Sequence, residues 1–160
     1  MSQQAYIRAE LDSVRTDLAE TFPRLSDDLL EWAPAEGMRT VQGQFVELIS
    51  TERSITERIK GAPRIDVEEA DAPLWQTRTI SGLIALLEEA RADTLAVLDG
   101  MDDTELERPV QISAGFADYL GLNPVPVGEL LRFIARHESY HAGQLVSYLW
   151  ARGNDPYSWD

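Results

Sequence analysis

The chain has 160 residues, no cysteine, and 28 Asp plus Glu against 14 Lys plus Arg, for a formal net charge of −14. One domain over residues 1–160 accounts for that length, and without thiols it has neither disulfides nor thiolate ligands, which suits a soluble protein of a reducing cytoplasm. Nucleic-acid and membrane partners are not expected: the acidic surface repels phosphates, MSQQAYIRAELDSVR is unlike a secretory signal, and no apolar run nears the ~20 residues of a membrane span.

Hydrophobic spacing predicts four long amphipathic helices. Ile7, Leu11, Val14, Leu18 and Phe22 recur at steps of three or four, which stacks them on one side of a first helix. A second covers about 40–59, with Val41, Phe45, Leu48, Ile55 and Ile59 on its stripe. The third opens near Thr79, carries Ile80, Leu83, Ile84, Leu87, Ala90, Leu95 and Leu98, and stops at Gly100. The fourth opens at Pro126, a residue suited to a first helical turn, and runs through Val127, Leu130, Leu131, Ile134, His141, Leu145 and Tyr148 to Gly153. Without strand-like alternation, the pattern predicts an all-α four-helix bundle.

The connections differ in length. Residues 26–32 read as a short helical turn capped by Ser26 and closed before Pro34. Residues 61–78, extended at about 3.3 Å each, are enough to run the length of the bundle as a long crossover between the second and third predicted helices. Residues 101–125 are too long for a plain helix hairpin, and such loops often cover a site. Tyr119 in that loop and Trp75 in the preceding connection could border a pocket.

Both histidines fall in HESYH, residues 137–141, letter for letter the His-Glu-x-x-His of zinc peptidases. Four apart on a helix, His137 and His141 project the same way and can reach one ion; the plain alternative is a pair of hydrogen-bonded core or surface histidines. A peptidase is not expected, because its further ligand lies downstream of the motif. The 19 residues after His141 hold no His or Glu, only Asp155 and Asp160 in a tail with Pro, Gly and Asn. Glu138, the letter of the protease base, is expected instead to pair with a neighbouring helix. The acidic runs Glu68, Glu69, Asp71 and Asp102, Asp103, Glu105 do not match a calcium loop and read as solvated.

The fourth predicted helix, RHESYHAGQLVSYL, resembles the last helix of the DinB/YfiT-like proteins, His-x-x-x-His then Gly-Gln and an apolar residue, in His137, His141, Gly143, Gln144 and Leu145. Trp32, Pro34, Thr40, Val41, Phe45, Leu48 and Glu52 are similar to the pattern of that family's second helix. The resemblance covers nearly the whole chain. It implies a DinB/YfiT-like bundle with a divalent metal ion (Zn, Ni, Fe or Mn), often a homodimer, whose characterised relatives transfer or isomerise with low-molecular-weight thiols such as bacillithiol or mycothiol. Where the family places a third metal-binding histidine, this sequence has Glu47. Two imidazoles and one carboxylate form a facial ligand set with open positions, at one unit less positive charge than three imidazoles; the bland alternative is a solvated helix carboxylate.

Around these residues, Gln144 lies one turn beyond His141 and could donate to a bound water or substrate, or be an exposed or self-satisfied amide. Glu52, on the inner stripe, needs a partner, either an arginine or the second nitrogen of a ligating histidine. The leading expectation is a metal-dependent enzyme acting on a small-molecule substrate, a transferase or isomerase with a thiol supplied from solution. Its rival is a non-catalytic ligand-binding or stress-associated protein with a degenerate metal site.

Overall fold

The computed structural model describes residues 2–63 and 67–159. Helices begin where short polar side chains satisfy the first free N–H groups, each cap being worth about 1 kcal/mol. In α1 (Gln3–Ala19) Ser2 accepts from the Ala5 N–H at 3.2 Å, and in α2 (Val41–Ile59) Thr40 accepts from Gly43 at 3.0 Å. α3 (Val67–Gln76) precedes α4 (Ile80–Asp99), which Thr79 caps through the Gly82 N–H at 3.1 Å. Next come α5 (Asp103–Leu106), β1 (Pro109–Val110), α6 (Ala114–Leu120), β2 (Val125–Pro126) and α7 (Val127–Ala151). The α7 start has no side-chain cap; its Val127 N–H donates to the Arg108 carbonyl at 3.0 Å, beside the antiparallel β1–β2 pair. Among the described residues no helix is long and apolar enough to cross a membrane.

The mostly helical architecture agrees with the all-α expectation, and α1, α2, α4 and α7 carry the four predicted stripes, except that Phe22 of the first lies beyond α1 in a 3-10 turn, Phe22–Arg24. α1 lies along α7 in the same direction, Glu10 facing Arg132 and Arg15 facing Glu138. α2 runs against α7, with Gln44 at His141 and Arg39 at Tyr148. Between α2 and the segment through α4, contacts advance together: Gln42 to Thr77, Glu52 to Arg91, Thr56 to Thr94.

The connections depart from the sequence reading. The turn expected over 26–32 is a 3-10 helix of three residues, Asp27–Leu29, and the Ser26 hydroxyl donates to Asp28 rather than capping it. Part of the stretch read as extended, 61–78, is helical in α3, with Pro73 inside it, and packs on α2; residues 64–66 of that stretch lie outside the described residues. The loop 101–125 contains α5, α6 and the strand pair, which at two residues per strand is too short to show alternation. Two of its acids serve as caps: Asp102 accepts from Thr104 and Glu105 at 2.9 Å, and Asp103 accepts from Gln4 at 3.2 Å at the start of α1.

Apolar side chains form two clusters, one around Leu18, Phe45, Leu48, Leu87 and Leu145, the other around Leu11, Ile55, Leu98, Leu131 and Ile134. Between these levels each long helix contributes one buried charge: Arg15, Glu52, Arg91 and Glu138. Arg15 Nε donates to Glu138 Oε1 at 2.7 Å and Arg91 Nε to Glu52 Oε1 at 2.7 Å. The remaining sides are closed by Arg91 Nη2 to Glu138 and by Arg15 Nη2 to Glu52 at 3.4 Å. Arg91 also donates to the Leu11 carbonyl at 2.6 Å. Burial opposes the Arg15 charge, but Glu138 first, then Glu52 and Glu88, outweigh it and hold its pKa above the ordinary arginine value.

Candidate functional site

The antiparallel pairing of α2 with α7 brings Glu47 across from the two histidines. His137 Nε2 lies 3.1 Å from His141 Nε2 and 3.9 Å from Glu47 Oε1. One donor atom from each of the three lies within 4.8 Å of the others. Nitrogen and oxygen ligands about 2.0–2.2 Å from a common divalent ion lie at most about 4.4 Å apart, and the 3.1 and 3.9 Å separations fall inside that reach.

The tautomer of His141 follows from a chain of hydrogen bonds anchored on a group that can only accept. Tyr148 Oη donates to the Arg39 carbonyl at 2.7 Å, so its lone pair accepts from Gln44 Nε2 at 3.0 Å. Gln44 Oε1 then faces the ring and accepts from His141 Nδ1–H. In the neutral ring Nε2 is therefore bare, and it points at His137 Nε2. Two imidazole nitrogens at 3.1 Å need a proton or a cation between them, since two facing lone pairs repel. His137 is steadied from below by Phe133, their rings stacked at 5.6 Å and 29°.

Electrostatics keep His141 and Glu47 in ligand form. His141 is 1 % exposed, and burial first, then the neighbouring His137, push its pKa down to about 4, so the ring is neutral near pH 7. The carboxyl of Glu47 is held below the usual carboxylate range by His137 first and also by Arg39, whose guanidinium lies 3.2 Å away. Gly43 leaves room for that arginine: a Cβ there would sit 2.6 Å from Arg39 Cγ.

Glu47 and His137 open onto a cleft of about 440 Å³ lined also by Ser50, Thr51 and Ser54 of α2, Asp71 of α3, and the rings of Phe116, Tyr119 and Phe133. A second pocket next to the site is lined by Arg39, Gln44, Gln144 and Tyr148.

The residues singled out in the sequence separate into two groups. Glu47, His137 and His141 come together. Gln144 lines the second pocket, and its Oε1 is buried with no hydrogen-bond partner among the described residues. Glu52 takes the arginine alternative, Arg91 and Arg15, and does not touch either histidine; the ring nitrogen of His141 is served by Gln44. Glu138 pairs with Arg15 and Arg91 as expected of it, so its carboxylate is not free to act as a peptidase base. Asp155 caps the 3-10 turn Pro156–Ser158 by accepting from Tyr157, and Asp160 lies outside the described residues. Tyr119 lines the cleft, whereas Trp75 does not.

Sequence reasoning missed Gln44, Tyr148 and Arg39. Gln44 carried one signal: an amide between apolar Val41, Phe45 and Leu48 is buried at 1 % exposure and must bond something.

The family model of the DinB superfamily matches residues 10–145. No curated protein matches the sequence. A crystal structure of an uncharacterised protein from Escherichia coli UTI89 is similar over 96% of each chain, with a TM-score of 0.69 and 12% identity, a likeness of fold alone.

Proposed function

From the premise that this chain belongs to the DinB superfamily, we propose that it is a metal-dependent enzyme acting on a small molecule, with Glu47, His137 and His141 holding one divalent ion. The observation that carries this reading is the bare Nε2 of His141 set 3.1 Å from His137 Nε2, with the Glu47 carboxylate completing the group. Its frame is a four-helix bundle of α1, α2, α4 and α7, in which α2 and α4 run the same way as a long crossover between them requires; the order of contacts between these helices supports it.

When bound, a first-row ion (zinc, nickel, iron or manganese) supplies Lewis acidity that favours the thiolate of a thiol or polarises an electrophile. The chain supplies the positioning. Gln44 fixes the His141 ring, Phe133 supports His137, and the cleft beside Glu47 holds the substrate next to the ligands. With no cysteine in the chain, a thiol used in transfer or isomerisation comes from solution. One observation favours the second reading, a non-catalytic binding protein with a degenerate site: Glu47 already has an ion-pair partner in Arg39.

Tag-free protein, purified after growth with all four metals available and measured by plasma mass spectrometry, tests the proposal. Expected is one ion per chain, lost in both His141→Ala and Glu47→Ala. Trace metal in the unaltered protein overturns the enzyme reading, and retention in Glu47→Ala alone removes Glu47 from the ligand set.

A further inference from the structure

The cleft beside the candidate ligands has a composition that selects among substrates. Phe116 and Phe133 meet edge to face at 4.9 Å and 74°, Tyr119 meets Phe133 at 6.1 Å and 88°, and Phe116 and Tyr119 lie nearly parallel at 6.5 Å. These rings, from α6 and α7, form one aromatic wall that continues into His137. Aromatic faces carry negative potential and attract cations.

The charged members of the lining have the same preference. Asp71 lines the cleft and has no hydrogen-bond or ion-pair partner among the described residues, and Glu47 lines it too. Ser50, Thr51 and Ser54 add neutral hydroxyls. Among the described residues no lysine or arginine lines this cleft; Arg39 lies in the neighbouring pocket and is paired with Glu47. The net charge of −14 draws cations toward the surface as a whole.

We infer that the cleft binds a small organic cation, a positively charged nitrogen attached to a flat apolar body, with Asp71 as counter-charge and Phe116, Tyr119 and Phe133 as the stacking wall. The inference deepens the enzyme reading by naming its substrate class, and it rests on that reading only for the claim that the ligand is a substrate. A partly exposed carboxylate and an aromatic face together favour a cation over its neutral analogue by about three- to thirtyfold.

Three probes that share a benzyl group and coordinate metals poorly test it by isothermal titration of the full-length protein: benzyltrimethylammonium, benzyl alcohol and phenylmethanesulfonate. Affinity should fall in that order. Asp71→Asn should shrink the advantage of the cation over the alcohol while leaving alcohol binding unchanged, and Tyr119→Ala should weaken both. Equal binding of cation and alcohol, a preference undiminished by Asp71→Asn, or affinities untouched by Tyr119→Ala would overturn the inference. Metal content measured on the same samples separates the two claims. A cation preference in protein with trace metal supports this inference and removes the enzyme reading, and metal-replete protein that prefers the sulfonate does the opposite.

Discussion

Replacing Glu138 by Gln tests whether the middle letter of the HESYH motif serves chemistry or architecture. The Glu138 side chain is 1 % exposed, with Arg15 Nε at 2.7 Å on one oxygen and Arg91 on the other. Loss of its charge leaves two buried guanidinium groups sharing Glu52 as the carboxylate of the central layer, with Glu88 reaching Arg15 from the more exposed side. Removing one partner of a buried ion pair costs about 3–5 kcal/mol. At about 2–4 °C per kcal/mol for a domain of this size, the melting temperature should fall by roughly 6–20 °C. The assay is urea unfolding monitored by circular dichroism, with metal content measured in parallel: stability should fall and the metal should remain. Stability within about 1 kcal/mol of the parent, together with lost metal, would refute the structural assignment. Replacing all four charges together, with Arg15→Met, Glu52→Leu, Arg91→Met and Glu138→Leu, should cost less than Glu138→Gln alone, because no charge is left stranded.

Gln44→Ala frees the His141 ring to rotate and change tautomer, so metal affinity should weaken about 10- to 100-fold in a chelator-competition titration. Arg39→Ala removes the group that competes for Glu47, and the same titration should show affinity tightened about two- to fivefold. In metal-free protein the pKa of His141, about 4 against an ordinary 6.5, means that the unfolded chain takes up its proton first as pH falls. The stability linked to this ring is whole above 6.5 and is lost as pH falls through about 4, by roughly 3 kcal/mol in all. Glu47, with its pKa lowered, acts in the same direction. Urea titrations at about pH 7 and about pH 4 check this, and a loss no smaller in His141→Gln than in the parent would contradict the assignment.

The helical frame was legible because apolar side chains recur at helical spacing over four long segments, and the histidine pair because a separation of four on a helix gives both rings one direction. Glu47 was reached only through a family pattern, since a carboxylate at the edge of a stripe looks like any solvated one. For Glu52 the need for a partner could be read from its inward position, but not that Arg15 and Arg91 meet it, because spacing within one helix does not encode the height of its neighbours. α3 escaped notice because Pro63, Pro73 and a run of acids gave the stretch the look of a loop. Gln44 went unread and Tyr148 was read only as part of an apolar stripe, because what they do depends on a hydrogen-bond polarity that begins at the backbone of Arg39.

The four-charge layer also indexes the last helix. Glu138 is one residue from His137 and three from His141, so the turn that is gripped by two guanidinium groups inside the bundle is the turn that presents both imidazoles to α2. Each residue inserted or deleted in a helix rotates all later side chains by about 100° around its axis. A single-residue slip in α7 would therefore swing the rings off their azimuth at the same moment as it unseats the carboxylate. The cleft wall on α6 is held differently, by the packing of Phe116 on Phe133 and not by paired charges.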